Sequence, residues 1–256
     1  MSHSETADGA NHAIFQVLDE LLRSPRAVAE RARGGGDLRP LFLAALGALV
    51  FGAGIFGATL ATSRGGVQLL YSGVKLPFAL LATLLLVVPA FHAISAGLGR
   101  PLGFSAMVGL LLAAAGRGAL VLIALSPVIW LCFDRGLTYH PGVLLASACY
   151  ALSGLAALEL VLRGIGLDFR GFLIISVFGL VLFATGGQTA WMMRPFLGRP
   201  SARNVPFLRH RESSFMDALG QSARSSLGIY DRSRRLEQGE APPREANNPG
   251  DPDESR

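Results

Sequence analysis

FRGFLIISVFGLVLFATGGQTAWMMRPFLGRP, residues 169–200, is the stretch whose reading decides the fold. Arg170 opens it, and an apolar run extends from Phe172 to Phe183. Small and polar residues follow at Thr185, Gly186, Gly187, Gln188 and Thr189, and the segment closes on Trp191, Arg194 and Pro195. An indole ring at the interface, a cation for the headgroups and a proline to stop the helix are the marks of a membrane-spanning helix with an amphipathic anchor. Behind it the hydrophobic part of the chain is finished and an arginine-rich tail begins.

Working outward, the composition agrees. Charged residues make up 16% of the 256 positions, against about 25% in soluble domains, and they concentrate in the two tails. Mean hydropathy is +0.43. This division predicts an all-α integral membrane protein, a bundle of about five transmembrane helices with flanking amphipathic helices and a disordered C-terminal end. Four further apolar runs reach the roughly 20 residues that cross a ~30 Å hydrocarbon core. With the opening stretch they place spans near residues 41–61, 76–96, 110–132, 142–162 and 172–191.

The domain reading follows. Residues 1–40 are an N-terminal tail, 41–194 the transmembrane domain, 195–237 a basic segment with a short amphipathic helix, and 238–256 a disordered tail. Residues 1–11 are too polar to order. Ile14, Val17, Leu18, Leu21 and Leu22 then fall on one helical face, and Ser24-Pro25 starts a second short helix that Gly34-Gly35-Gly36 ends. This pair is expected on the membrane surface or packed under the spans. No cleavable signal peptide is expected, so the first span serves as the insertion signal.

Short connections predict antiparallel packing of consecutive spans. In the first span Ala53 with Gly57, and Gly54 with Ala58, have the small-xxx-small spacing that lets another helix approach. Residues Gly65 to Lys75 read as an amphipathic lead-in to the second span. Pro77 is then in its first turn, and kinks are expected at Pro89 and Pro127. Arginine is abundant beside both ends of the membrane domain, so the positive-inside rule hardly discriminates; the N-terminus inside is the expected sense.

Ionisable side chains inside spans cost a few kcal/mol on insertion scales and need a reason. His92, Arg117 and Glu159 fall in the same leaflet, within about 5–10 Å of its interface at ~1.5 Å per residue. They form a candidate polar cluster, with Gly116 and Gly118 leaving room for the guanidinium between helices. A milder reading has Arg117 reaching out to the headgroups while Glu159 pairs with Arg163 on its own helix. Gln188, Trp191, Arg194 and Phe196 form a candidate interface motif, with hydrogen bonding between helices expected at Gln188, Thr185 and Thr189. In the tail, Phe215, Leu219 and Leu227 form a candidate docking face behind Ser214-x-x-Asp217, which resembles a capping box.

Catalytic patterns are missing: no HExxH, GxSxG or phosphate loop occurs, and no span carries paired carboxylates. Cys132 and Cys149 lie in apolar runs and read as structural thiols. No enzyme activity, cofactor or metal is expected. The tail has only Phe207, Phe215 and Tyr230 among its basic residues, too few aromatics for a nucleic-acid surface. The expected partners are membrane lipid and other membrane proteins or a second copy, met through small-residue helix faces.

Three stretches carry a resemblance: Leu21-Leu22-Arg23-Ser24-Pro25, Lys75-x-Pro77, and the run from Gly97 through Arg100-Pro101 to Phe104. With them the chain resembles the Yip1-type five-span membrane proteins. More narrowly it resembles bacterial inner-membrane proteins that close on Gln188-x-x-Trp191-x-x-Arg194-Pro195-Phe196, followed by Arg211-Glu212-x-x-Phe215. The likeness covers about residues 15–220. It implies a multi-pass inner-membrane protein; the eukaryotic members are trafficking factors that associate with small GTPases, and their partner-binding segment has no counterpart here. The function expected is a non-enzymatic membrane scaffold or assembly protein, the alternative being a small transporter or channel subunit built on the polar cluster. Five spans also set the topology: reporters fused after Gly36 and after Ser201 are expected on opposite sides of the membrane, and the same side for both would mean an even number of spans.

Overall fold

The computed structural model describes residues 3–34, 36–62 and 65–193. Seven helices account for nearly all of them: α1 (His3–Arg23), α2 (Pro25–Arg33), α3 (Arg39–Leu60), α4 (Val67–Gly97), α5 (Phe104–Asp134), α6 (Tyr139–Ile165) and α7 (Phe169–Met193). The last five are each long and apolar enough to cross a membrane. They run alternately up and down, so α3, α5 and α7 begin at the end of the bundle where α1 and α2 dock, called here the cap end.

The start of α1 at His3 corrects the expectation of disorder before residue 12. Once the amphipathic part is nucleated by packing, Glu5, Ala7 and Ala10 extend it at little cost. Val17 and Leu21 are fully buried, as are Val28, Ala29 and Ala32 of α2. They share one core with Leu41 of α3, Leu110 of α5 and Leu160, Val161 and Ile165 of α6. The pair is therefore built into the end of the bundle. Arg31 of α2 fastens it, donating from Nε and Nη2 to the Glu20 carboxylate at 3.2 and 2.7 Å. Leu22, expected on the apolar face, is exposed.

Lateral order departs from the sequence order. The most extensive helix contact joins α3 to α5, which are parallel and not consecutive, while α4 and α5 touch little. The neighbours run α7, α4, α3, α5, α6, with a small contact between α6 and α7 closing the row. The physical reason lies on α3. A Cβ at Gly52 would stand 2.6 Å from the Ala119 carbonyl oxygen, and one at Gly57 would stand 2.5 Å from that of Ser72. Gly116 returns the favour on α5, where a Cβ would lie 2.8 Å from the Ala45 oxygen. Backbones meet directly on both sides of α3, and in hydrocarbon such close van der Waals contact is what holds helices together.

A second correction concerns the lead-in. Gly65 and Gly66 turn the chain with φ of 69° and 60°, conformations that favour glycine, and α4 then runs unbroken from Val67. Lys75 and Pro77 are thus inside the helix and buried. Proline in a helix strands the carbonyl four residues earlier. Here that is Gly73, whose oxygen lies against Gly54 of α3, 3.4 Å from where a Cβ would stand. Likewise α5 starts at Phe104, six residues before the expected span, and both helices exceed the length a hydrocarbon core requires.

At the cap end two loops are tied together. Arg100 donates from Nη2 to Asp168 Oδ2 at 2.6 Å and from Nη1 to the Ile165 carbonyl at 2.8 Å. Asp168 also caps α7, accepting from the Gly171 N–H at 3.1 Å. That N–H first, and then the Arg100 guanidinium, hold the Asp168 carboxyl below its ordinary range.

The seam of α3 generates a paired test. Gly52→Ala is expected to force α3 and α5 apart at a cost of about 1–3 kcal/mol. Gly47→Ala, with nothing within 4 Å of its Cβ, is expected to be neutral or stabilising by up to about 1 kcal/mol. Melting temperatures of the two variants in one detergent check this; equal behaviour would mean that the seam does not hold the bundle.

Candidate functional site

Two of the three intramembrane candidates meet. Arg117 Nη2 donates to Glu159 Oε2 at 2.8 Å, bridging α5 and α6. The other carboxylate oxygen, Oε1, accepts from Arg163 Nε at 3.0 Å and Nη2 at 2.7 Å, one turn along α6. The contact within α6 and the contact between helices therefore coexist, and a single carboxylate serves two guanidinium groups.

Local packing explains the position of Arg117. Gly118 faces α6 so closely that a Cβ would lie 2.8 Å from Ser153 Oγ, and that hydroxyl donates to the Gly118 carbonyl at 2.9 Å. Gly116 faces α3. The glycines on either side were expected to make room for the guanidinium; the space they save is occupied by the neighbouring helices. Arg117 is left between α3 and α6 with its side chain 14% exposed. Its Nη1 is buried without a hydrogen-bond partner among the described residues. Glu159 at 41% and Arg163 at 25% open toward the outside of the bundle.

Depth also differs from the expectation. From Phe104 to Arg117 is about 20 Å along α5, whereas Glu159 lies about 9 Å and Arg163 about 3 Å from the end of α6 at ~1.5 Å per residue. The network is a short ladder reaching inward from the cap end. His92 does not join it. It sits on α4 with an exposed side chain, and its carbonyl accepts the Ser95 hydroxyl at 3.1 Å.

In the closing motif, Gln188 and Trp191 fall within α7, while Arg194 and Phe196 lie outside the described residues. Thr189 Oγ1 donates to the Thr185 carbonyl of its own helix at 2.8 Å, so this hydroxyl is spent inside α7 instead of between helices. Phe215, Leu219 and Leu227 also lie outside the described residues. Both cysteines are free thiols.

One polar residue escaped the sequence reading. Lys75, read as the end of the amphipathic lead-in, is 2% exposed within α4, three residues from Ser72 at 1%. The signal was present in the spacing: Ser72, Leu76, Ala79, Thr83 and Val87 are all buried on one helical face, and that periodicity starts before the apolar run does.

Comparison with known protein families, with curated proteins and with solved structures finds no match.

The network can be dissected by a double-mutant cycle. Arg117→Leu leaves Glu159 with Arg163, so a loss near ~1 kcal/mol is expected, whereas Glu159→Leu strands two guanidinium groups and is expected to cost about 2–3 kcal/mol. The double replacement is expected to recover part of the second loss. Thermal unfolding in nanodiscs gives the coupling, and strict additivity would mean that the 2.8 Å contact carries no energy.

Proposed function

We propose that this chain is a non-enzymatic scaffold or assembly protein of the bacterial inner membrane, Yip1-like in arrangement. The observation that carries the reading is the backbone contact of α3 with α4 and α5 at Gly57 and Gly52. It fills the centre of the bundle with helix contacts, where a transporter would need a water-accessible path to its ionic cluster. The Arg117–Glu159–Arg163 network also suits a structural role: its carboxylate already accepts from both arginines. Large apolar side chains on the outer faces of α6 and α7, among them Leu152, Leu155, Phe172 and Leu180, offer surfaces to lipid and to neighbouring membrane proteins.

The alternative, a small transporter or channel subunit, draws on Lys75. A lysine buried between spans is costly and marks ion paths in many membrane proteins. Ion flux into liposomes carrying the purified protein separates the two: flux abolished by Lys75→Met would overturn the scaffold reading.

A scaffold also engages partners outside the spans, and the candidate surface there is the tail face of Phe215, Leu219 and Leu227. Deleting residues 238–256 is expected to leave membrane insertion and co-purifying partners unchanged, whereas cutting after Pro200 is expected to remove the partners while insertion persists. Identical partner sets for the two truncations, read by quantitative mass spectrometry, would exclude the tail as the docking segment.

A further inference from the structure

We propose that the Arg117–Glu159–Arg163 network is the headgroup site for one anionic phospholipid, whose phosphodiester binds Arg163 beside Glu159 and whose acyl chain lies along α6. Three independent observations converge on it.

The first is charge. Two guanidinium groups against one carboxylate leave one positive charge in the spanning region. The described protein groups offer no second anion, so the excess charge at the outer rung of the network is free to attract one from the membrane surface. The second is donor capacity. Arg163 uses Nε and Nη2 on Glu159 Oε1, which leaves the Nη1 donors of a partly exposed side chain without an acceptor among the described residues. A guanidinium is suited to phosphate, presenting planar paired N–H groups to its oxygens. Arg117 lies one contact deeper and keeps Glu159 engaged from the other side, so that Arg163 can turn outward without stranding the carboxylate.

The third is what continues the site. Leu155 and Leu152 precede Glu159 by four and seven residues and so share its helical face; they are 65% and 53% exposed. One face of α6 thus reads leucine, leucine, glutamate, arginine from the bundle middle toward the cap end. That is the sequence of chemistries along a lipid, from acyl chain to headgroup. Arg163, about 3 Å from the helix end at ~1.5 Å per residue, is at the headgroup level. Soluble phosphate would satisfy the arginine but has no use for the leucines, which is why the lipid is the assigned source.

The test uses the full chain in nanodiscs of phosphatidylcholine, with or without phosphatidylglycerol, and counts retained lipid by native mass spectrometry. Wild-type protein is expected to retain phosphatidylglycerol over phosphatidylcholine, and Arg163→Gln to lower that preference about fivefold, the effect of one interfacial cation. Arg33→Gln, an exposed arginine of α2 at the same end, is expected to leave it unchanged. Equal losses in both variants would reduce the preference to diffuse surface attraction and overturn the site. Inorganic phosphate added to phosphatidylcholine nanodiscs is the second arm: Arg163-dependent stabilisation by phosphate alone would overturn the lipid assignment. Should Arg163→Gln fail to fold, a photoactivatable phosphatidylglycerol on the wild-type protein decides. Crosslinks on the α6 face between Leu152 and Arg163 support the site, and crosslinks confined to other helices overturn it.

Discussion

The contact of α3 with its neighbours, backbone against backbone, is the constraint on which the rest of the bundle depends. In a bilayer the lipid tails are as apolar as leucine, so burying apolar side chains between helices gains little, and association rests on close van der Waals fit. Gly52, Gly57 and Gly116 supply that fit by removing the one atom that would intervene. With α3 meeting both α5 and α4 in this way, α4 and α5 touch little, and the order of helices in space departs from their order in the chain. The two cores follow from the same arrangement. One joins α1 and α2 to the cap-end halves of the spans, and the other gathers α3 to α6 in the opposite half.

Charge is distributed with that architecture. At the cap end every described acidic side chain that is partly buried has an arginine: Glu20 has Arg31 and Glu159 has both Arg117 and Arg163. These bonds link α1 to α2 and α5 to α6, while Arg100 and Asp168 link the loops that precede α5 and α7. Buried ion pairs are weak sources of net stability because desolvation offsets the attraction, but breaking one is costly. Their effect is therefore to specify which helices meet. In the opposite half Lys75 is the buried ionisable side chain of α4, close to the Gly57 seam through its neighbours Ser72 and Leu76.

The proposed scaffold role draws on the close helix contacts along α3, on the partly exposed Arg163 and on the uncovered Leu152 and Leu155 beside it. The Arg163 face of α6 and the interior Lys75 belong to different halves of the molecule, so lipid attachment at the first and any ion-related role of the second are separable questions.

The apolar runs by themselves determined the membrane class, the five spans and their alternating direction, because length against hydrocarbon thickness is a one-dimensional property. The spacing of Ile14, Val17 and Leu21 and the Ser24-Pro25 pair likewise announced helices before the first span, and the small residues from Ala53 to Ala58 announced a close contact. What the runs did not contain was the partner of each face. That α5 lies parallel to α3, that α1 and α2 are embedded at the cap end, and that Gly116 and Gly118 receive helices were decided in three dimensions. Helix ends were also displaced: α4 and α5 continue through Lys75 and Phe104, because a helix ends where its hydrogen bonds end and not where hydrophobicity does. The same distinction governed the polar residues. Glu159 could be placed near Arg117 from the direction of the helices, whereas His92, expected beside them, faces outward. Depth is fixed by position along the chain, but the direction a side chain faces is fixed by which helices its own helix packs against, and that only the tertiary structure decides.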